Sequence, residues 1–248
     1  MKYTLLFLGM ARTGTSTLWY NLNLHPQISA TKIKEPIVLK PYLTLNEKTY
    51  LNLFEVKKDS KVLVDGSPNP FFYKTFWKVC KEYSFVKDIK CIFCLRDPLI
   101  KLYSQINQCF KNYAFKNYQY LFLVDETNIE PDRIKEMLYI NDFTMLNTIE
   151  KHLSRDQIML FHLNELQYKR REILDFLEVD FIPGSFLYKN SSKENPCSIK
   201  QLKLLYQLKK WFMNNQDELL NISADIKKKV SDKYQIEYPE ETYKGIFT

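Results

Sequence analysis

Residues 9–16 read GMARTGTS and follow directly on the apolar run YTLLFL at 3–8. The stretch has nearly the form of a phosphate-binding loop, G-x-x-x-x-G-K-[ST], between a strand and a helix. Gly9 and Gly14 are correctly spaced and Ser16 is in place, but Thr15 stands at the lysine position. The basic residue is Arg12, inside the loop. Backbone N–H groups and a helix N-terminus make such a loop an anion cradle. Thr13, Thr15 and Ser16 can add hydroxyl donors, Gly14 allows close backbone approach, and Arg12 can fork onto two oxygens. The bland alternative is an ordinary strand-to-helix turn with a polar cap.

Working outward, TSTLWYNLNL at 15–24 carries its apolar residues at helical spacing, and HPQI closes that helix at Pro26. KVLVDGSPNP at 61–70 is a second short strand entering a turn, and PFFYKTFWKVCKEY at 70–83 reads as a helix. IKCIFCLRDP at 89–98 is a third buried strand, followed by the helix LIKLYSQINQCFKNY at 99–113. DQIMLFHL at 156–163 is a fourth strand, and NELQYKRREILDFLEV at 164–179 a helix capped by Asn164. SIKQLKLLYQLKKWFMNNQDELL at 198–220 adds an amphipathic helix. Strands alternating with helices predict an α/β fold with a central, mainly parallel sheet flanked by helices. We find no repeat or linker, so one domain over residues 1–248 is expected, with C-terminal helices at about 198–233 packed on it.

Composition agrees with that architecture and narrows the function. The 248 residues are 45% hydrophobic, enough for a large core, so global disorder is not expected. A net charge of +7 suits an anionic ligand, suits weak attraction to nucleic acid or membrane, and also suits simple solubility. The basic tracts KRR at 169–171 and KKK at 227–229 are expected on solvated helix faces. Five cysteines without a signal peptide predict reduced thiols and a cytoplasmic protein. Cys91 and Cys94 form a C-x-x-C inside an apolar strand, where buried structural thiols are the expectation. No stretch approaches the roughly 18 apolar residues of a membrane span. No His/Cys cluster has metal-ligand spacing, so no metal is expected.

Without the lysine that reaches the β- and γ-phosphates, the loop is poorly equipped for triphosphate chemistry. A terminal phosphate or a 5′-phosphosulfate remains within its reach. FLGMARTGTSTLWYNLNLHPQI at 7–28 resembles the 5′-phosphosulfate loop of the sulfotransferase family, with its following helix and closing His-Pro. CLRDPLIKLYS at 94–104 resembles that family's second signature, a strand ending in Arg with Ser eight residues later. The resemblance is closer to glycan and protein-tyrosine sulfotransferases than to the cytosolic phenol enzymes. It implies 3′-phosphoadenosine 5′-phosphosulfate (PAPS) as donor, adenosine 3′,5′-bisphosphate (PAP) as product, and Arg96 and Ser104 on the 3′-phosphate. It also implies that YKNSSKENP at 188–196 closes over the nucleotide, with Lys193 reaching the 3′-phosphate. In KEPIVL at 34–39, Glu35 stands near the place of the family's catalytic glutamate. One departure is Gly66, where some relatives carry a lysine; its work would fall to Arg12, Lys32 or Lys34, or go undone.

Glu35 is thus the expected base and Arg12 the expected charge stabiliser. His25 is the competing base, although its place in the His-Pro favours capping or packing. Asp65 and Ser67 can orient a substrate or cap the next turn. Trp19, Phe71, Phe72 and Trp77 are expected in the core. The acceptor is open: a glycan, a tyrosine peptide or a small hydroxyl compound. Two other functions stay in view, a kinase-like phosphotransferase with a degenerate loop and a non-catalytic nucleotide- or nucleic-acid-binding module. The sequence does not disclose oligomeric state.

Overall fold

The structure is a computed structural model that describes residues 2–36, 46–67, 80–111, 135, 138, 142–184, 186–187, 199–240, 243 and 246. The side chains of 106–111 and 199–205 are not among them. The described strands are β1 (Tyr3–Leu8), β2 (Ile28–Ala30), β3 (Val62–Asp65), β4 (Val86–Leu95) and β5 (Ile158–His162). The helices are α1 (Thr15–Asn23), α2 (Glu47–Leu51), α3 (Pro98–Lys111), α4 (Asp142–Ile149), α5 (Arg170–Phe176), α6 (Ile199–Asn214) and α7 (Gln216–Tyr234). The chain divides into two compact units, residues 1–95 with 147–191, and residues 96–146 with 192–248.

The first unit holds all five strands in one parallel sheet of order β2-β3-β1-β4-β5. Parallel strands are covered on both faces, which is why the sequence reads as continuous apolar runs. The period of two is still visible in the packing. Leu6 and Leu8 of β1, Val62 and Val64 of β3, and Ile92 and Cys94 of β4 share one cluster with Leu18 and Leu22 of α1 and Ile173 and Leu174 of α5. Cys80, Cys91 and Cys94 are buried thiols, and burial pushes the first two well up from the usual thiol range.

Three expectations need correction. The sequence yielded four strands, and the structure adds β2, whose three residues ISA are too short to show a period. Asn164 does not cap a helix. The Glu165 carboxylate instead accepts from the His162 N–H at 2.7 Å, closing a single 3-10 turn, and α5 starts only at Arg170. The amphipathic run at 198–220 is two helices: α6 ends at Asn214, and Asn215 turns back to donate its side-chain amide to the Trp211 carbonyl at 2.8 Å. The helix expected at 70–83 lies largely outside the described residues, as do Phe71, Phe72 and Trp77.

In the second unit α3, α6 and α7 pack together. On α7 the buried residues Leu219, Ser223, Ile226, Val230 and Tyr234 recur every three or four positions, forming one inward stripe. Of these, Leu219 and Ile226 meet Leu99 and Leu102 of α3 and Leu208 and Phe212 of α6. Neither basic tract is wholly solvated. Lys227 turns inward to Asp97 at 2.9 Å, and Arg170 donates to the Ile182 carbonyl at 3.1 Å. Among the described residues no helix is long and apolar enough to cross a membrane.

Candidate functional site

The loop after β1 is built by backbone geometry that few residues tolerate. Gly9 donates its N–H to the Ile92 carbonyl of β4 at 2.8 Å, fixing where the chain leaves the sheet. Arg12 then takes a left-handed conformation at φ 67, and Gly14 a second one at φ 83. The Thr13 side chain is fully buried and its hydroxyl donates to the Met10 carbonyl at 2.6 Å, closing the loop on itself. Gly14 is the N-cap of α1, and no side chain caps that helix. Its first turn also contains no acidic residue. The exposed helix dipole and the first N–H groups therefore favour an anion. Thr15 is buried and Ser16 half-buried in that first turn.

A Cβ on Gly14 would stand 2.3 Å from Leu163 Cδ1, on top of a backbone angle unfavourable for side chains. Gly14→Ala is expected to cost about 2 kcal/mol, combining left-handed strain with displacement of the flexible leucine end. A chemical-denaturation midpoint checks this, and Leu163→Ala in the same chain should recover the packing share but not the strain.

Beside the loop, β3 ends in Asp65, the register partner of Phe7 on β1. Asp65 is completely buried. It accepts from the Tyr50 hydroxyl at 2.7 Å and from the Ser67 N–H at 2.9 Å, so it shapes the turn after the strand. Burial raises its pKa above the usual carboxyl value, and the charge of Glu35 adds to the rise. A carboxyl whose pKa is higher folded than unfolded holds its proton more tightly in the fold. Its contribution to stability is fullest at low pH and is lost as pH rises through the folded value. Asp65→Asn, which cannot ionise, is expected to flatten the decline in denaturation midpoint as pH rises above the ordinary carboxyl value of about 4.

The segment after β2 supplies Lys34 and Glu35, paired with each other. Lys32 donates to the Asn52 carbonyl at 2.9 Å on the exposed surface. Trp19 of α1 packs against the sheet core, as expected, and gives its ring N–H to Thr31 Oγ1 at 3.2 Å.

His25 has both ring nitrogens engaged: Nε2 bonds the Asp180 carbonyl at 2.8 Å, and Nδ1 accepts from the Gln27 N–H at 3.1 Å. Burial lowers its pKa, keeping the ring neutral. It is a closing residue for α1, with no lone pair left for a substrate proton.

Two contributors escaped the sequence reading. Asn21 donates to the Leu187 carbonyl at 2.8 Å and accepts from the Leu187 N–H at 2.7 Å, tying the chain just before residue 188 to α1. Tyr50 anchors Asp65 from α2, inside a cluster with Tyr83 and Phe85. Both join residues remote in sequence, so no local pattern marks them.

In the second unit, Arg96 is the residue after β4 and Asp97 caps α3. Asp97 Oδ1 accepts from the N–H groups of Leu99 at 2.9 Å and Ile100 at 3.1 Å. Its other oxygen accepts from the Tyr243 hydroxyl at 2.8 Å and pairs with Lys227. Burial alone would lower the Lys227 pKa, but the bonds to Asp97 and Tyr243 raise it. Ser104 lies in α3, eight residues beyond Arg96. Lys193 lies outside the described residues. Among the described residues no cluster of three or more His, Cys, Asp or Glu is placed to hold a metal.

No curated protein matches the chain. Among solved structures it is similar to a sulfotransferase from Alicyclobacillus acidocaldarius, with TM-score 0.56 and 17% identity over 96% of this chain and 98% of that one. It is also similar to sulfotransferase STF9 from Mycobacterium avium, with TM-score 0.50 and 14% identity over 97% of this chain and 79% of that one. At such identities the likeness concerns the fold. The family model for the sulfotransferase domain matches residues 3–234, running through both units and through every loop described above. The lysine-free phosphate loop thus sits in a chain that belongs to the sulfotransferase domain family.

Proposed function

We propose that this chain transfers a sulfuryl group from PAPS to an acceptor hydroxyl or amine. The observation that carries the reading is the loop itself. It has an uncapped helix N-terminus, a left-handed Arg12 and Gly14, and threonine where nucleoside triphosphatases need lysine.

When bound, the donor supplies an activated sulfuryl group on a good leaving group. The chain's own residues bind and orient it. Arg12 and the N–H groups at the start of α1 take the 5′-phosphosulfate, and the hydroxyls of Thr15 and Ser16 add donors. Thr13 holds the loop's shape through Met10. Arg96 and Ser104 take the 3′-phosphate, and Lys193 closes on it. Glu35 accepts the acceptor's proton as the acceptor oxygen bonds to sulfur. The sulfur–oxygen bond to the phosphate breaks, and its electron pair stays on the phosphate. No residue in this scheme needs a metal. The acceptor is a glycan, a tyrosine peptide or a small hydroxyl compound. Buried thiols suit action in the reducing cytoplasm.

A thermal-shift comparison tests the donor. PAP is expected to raise the melting temperature, and Mg-ATP to leave it unchanged; the opposite result identifies a kinase-like protein instead. Arg12→Ala should weaken PAP binding by roughly tenfold or more, as expected for a lost charge-assisted pair. Tight binding of long polynucleotides with steep salt dependence and no PAP binding would mark a nucleic-acid module.

A further inference from the structure

Gly66 follows β3 where the strand leaves the sheet, and a side chain there has no room. A Cβ would stand 2.5 Å from the Lys34 carbonyl oxygen, 2.8 Å from Trp19 Cδ1 and 3.1 Å from Lys34 Cγ. The space is filled by Lys34 and by α1. Because Phe7 pairs with Asp65, Gly66 comes level with Leu8, one residue before the loop begins at Gly9. The stem of Lys34 therefore lies at the carboxyl ends of two adjacent central strands, where open parallel sheets bind their ligands.

Other lysines of this unit are committed elsewhere. Lys32 bonds Asn52 on the surface. Lys57 donates to the Asn23, His25 and Ile28 carbonyls beyond α1. Lys90 bonds the Phe176 carbonyl and Glu178. Lys34 pairs with its neighbour Glu35, with side chains 22% and 32% exposed. A pair that open to water is weak and exchanges readily. A phosphate dianion nearby offers an ammonium the stronger partner.

We propose that Lys34 changes partners when the donor binds, leaving Glu35 for the 5′-phosphate end. One residue then does two things. The ammonium neutralises the charge that collects on the leaving phosphate, and Glu35 is released to accept a proton. Gly66 is the complementary feature, since any side chain there would push Lys34 away. The inference rests on the sulfotransferase reading above and assigns a cation that the phosphate loop lacks at its usual lysine position.

The test uses the full chain with PAP as probe, read by calorimetry and by the two phosphorus NMR resonances of the bound ligand. A nearby ammonium favours the dianion, so in the wild type the 5′-phosphate should titrate below its ordinary value of about 6. Lys34→Ala and Lys34→Gln are expected to return the 5′ resonance toward the free ligand's titration, leave the 3′ resonance unmoved, and weaken PAP by roughly tenfold. Lys32→Ala should bind as the wild type does. Three outcomes overturn the proposal, and they differ. If the wild type does not bind PAP, the sulfotransferase reading fails and the Lys34 assignment with it. If the wild type binds but both Lys34 variants bind equally well with unchanged titration, the reading stands and the assignment falls. If both resonances move together, Lys34 acts on the fold rather than on the 5′ end.

Discussion

Replacing Asp97 by alanine is expected to lower the stability of the second unit by about 4 kcal/mol, read from urea unfolding. The side chain is completely buried and both oxygens are used. Removing one member of a buried pair costs about 3 to 5 kcal/mol, because the surviving charge is stranded. Lys227 is 23% exposed and can partly reach water, which argues for the lower end, about 3. Loss of the helix cap on α3 adds about 1. Asp97→Asn separates these contributions. Its amide oxygen can still accept from Leu99 and Ile100, so the cap survives and only the ionic part is lost. That variant should cost about 3 kcal/mol, the alanine figure less the share of the cap. Tyr243→Phe removes a single hydroxyl donor and should cost about 1 kcal/mol. Because Arg96 immediately precedes this cap, PAP affinity should fall in Asp97→Ala even where the chain is still mostly folded. If asparagine proves as damaging as alanine, the cap contributes nothing and the apportioning above is wrong.

The same residue shows where a sequence stops being legible. Asp97-Pro98 reads locally as a strand end and a helix start, and that is correct. Its partners Lys227 and Tyr243 stand far along the chain; the Tyr243 bond spans 146 positions. Lys227 belongs to a run of three lysines that looks like a solvated face, yet the stripe of α7 turns the first of them inward. Charge runs announce helix surfaces, but a helix in a bundle has flanks as well as a front and a back. Which lysine lies on a flank depends on the neighbour, and no local pattern encodes the neighbour.

The sheet was legible for the opposite reason. Strands buried on both faces need unbroken apolar runs, so β1, β3, β4 and β5 show themselves in the sequence. β2 has three residues with a serine at its centre, and its burial comes from lying beside β3 rather than from its own composition. The turn after β1 was legible because its backbone demands glycine at Gly14, and because its glycines and hydroxyl residues stand together in the sequence. The pairing of Lys34 with the gap at Gly66 was not. From sequence, the glycine showed only that a side chain was missing; the structure shows what occupies the space.

Glu35→Gln is expected to slow sulfuryl transfer by about 10²- to 10⁴-fold while PAP affinity stays within about threefold. The reasoning is geometric first. Glu35 is carried by the segment that leaves β2, paired with Lys34, and lies close enough to Asp65 for the two carboxyl charges to repel. Asp65 is committed to Tyr50 and Ser67, and His25 to Asp180 and Gln27, so of these three candidates Glu35 is the one proposed as base. Glutamine keeps the size and hydrogen-bonding reach but cannot take a proton, so donor binding should survive while turnover does not. Glu35→Asp retains the base one methylene further back and should fall between the two, since misplacing a catalytic group by about 1 Å can cost about a hundredfold. The measurement is transfer of labelled sulfate from PAPS to a tyrosine peptide, a glycan and a small phenol in parallel, beside PAP calorimetry on each variant. Equal turnover in Glu35→Gln and wild type would remove Glu35 from the chemistry. Loss of PAP binding together with turnover would make it a structural partner of Lys34 instead. Lost turnover with retained binding is the result that identifies the base.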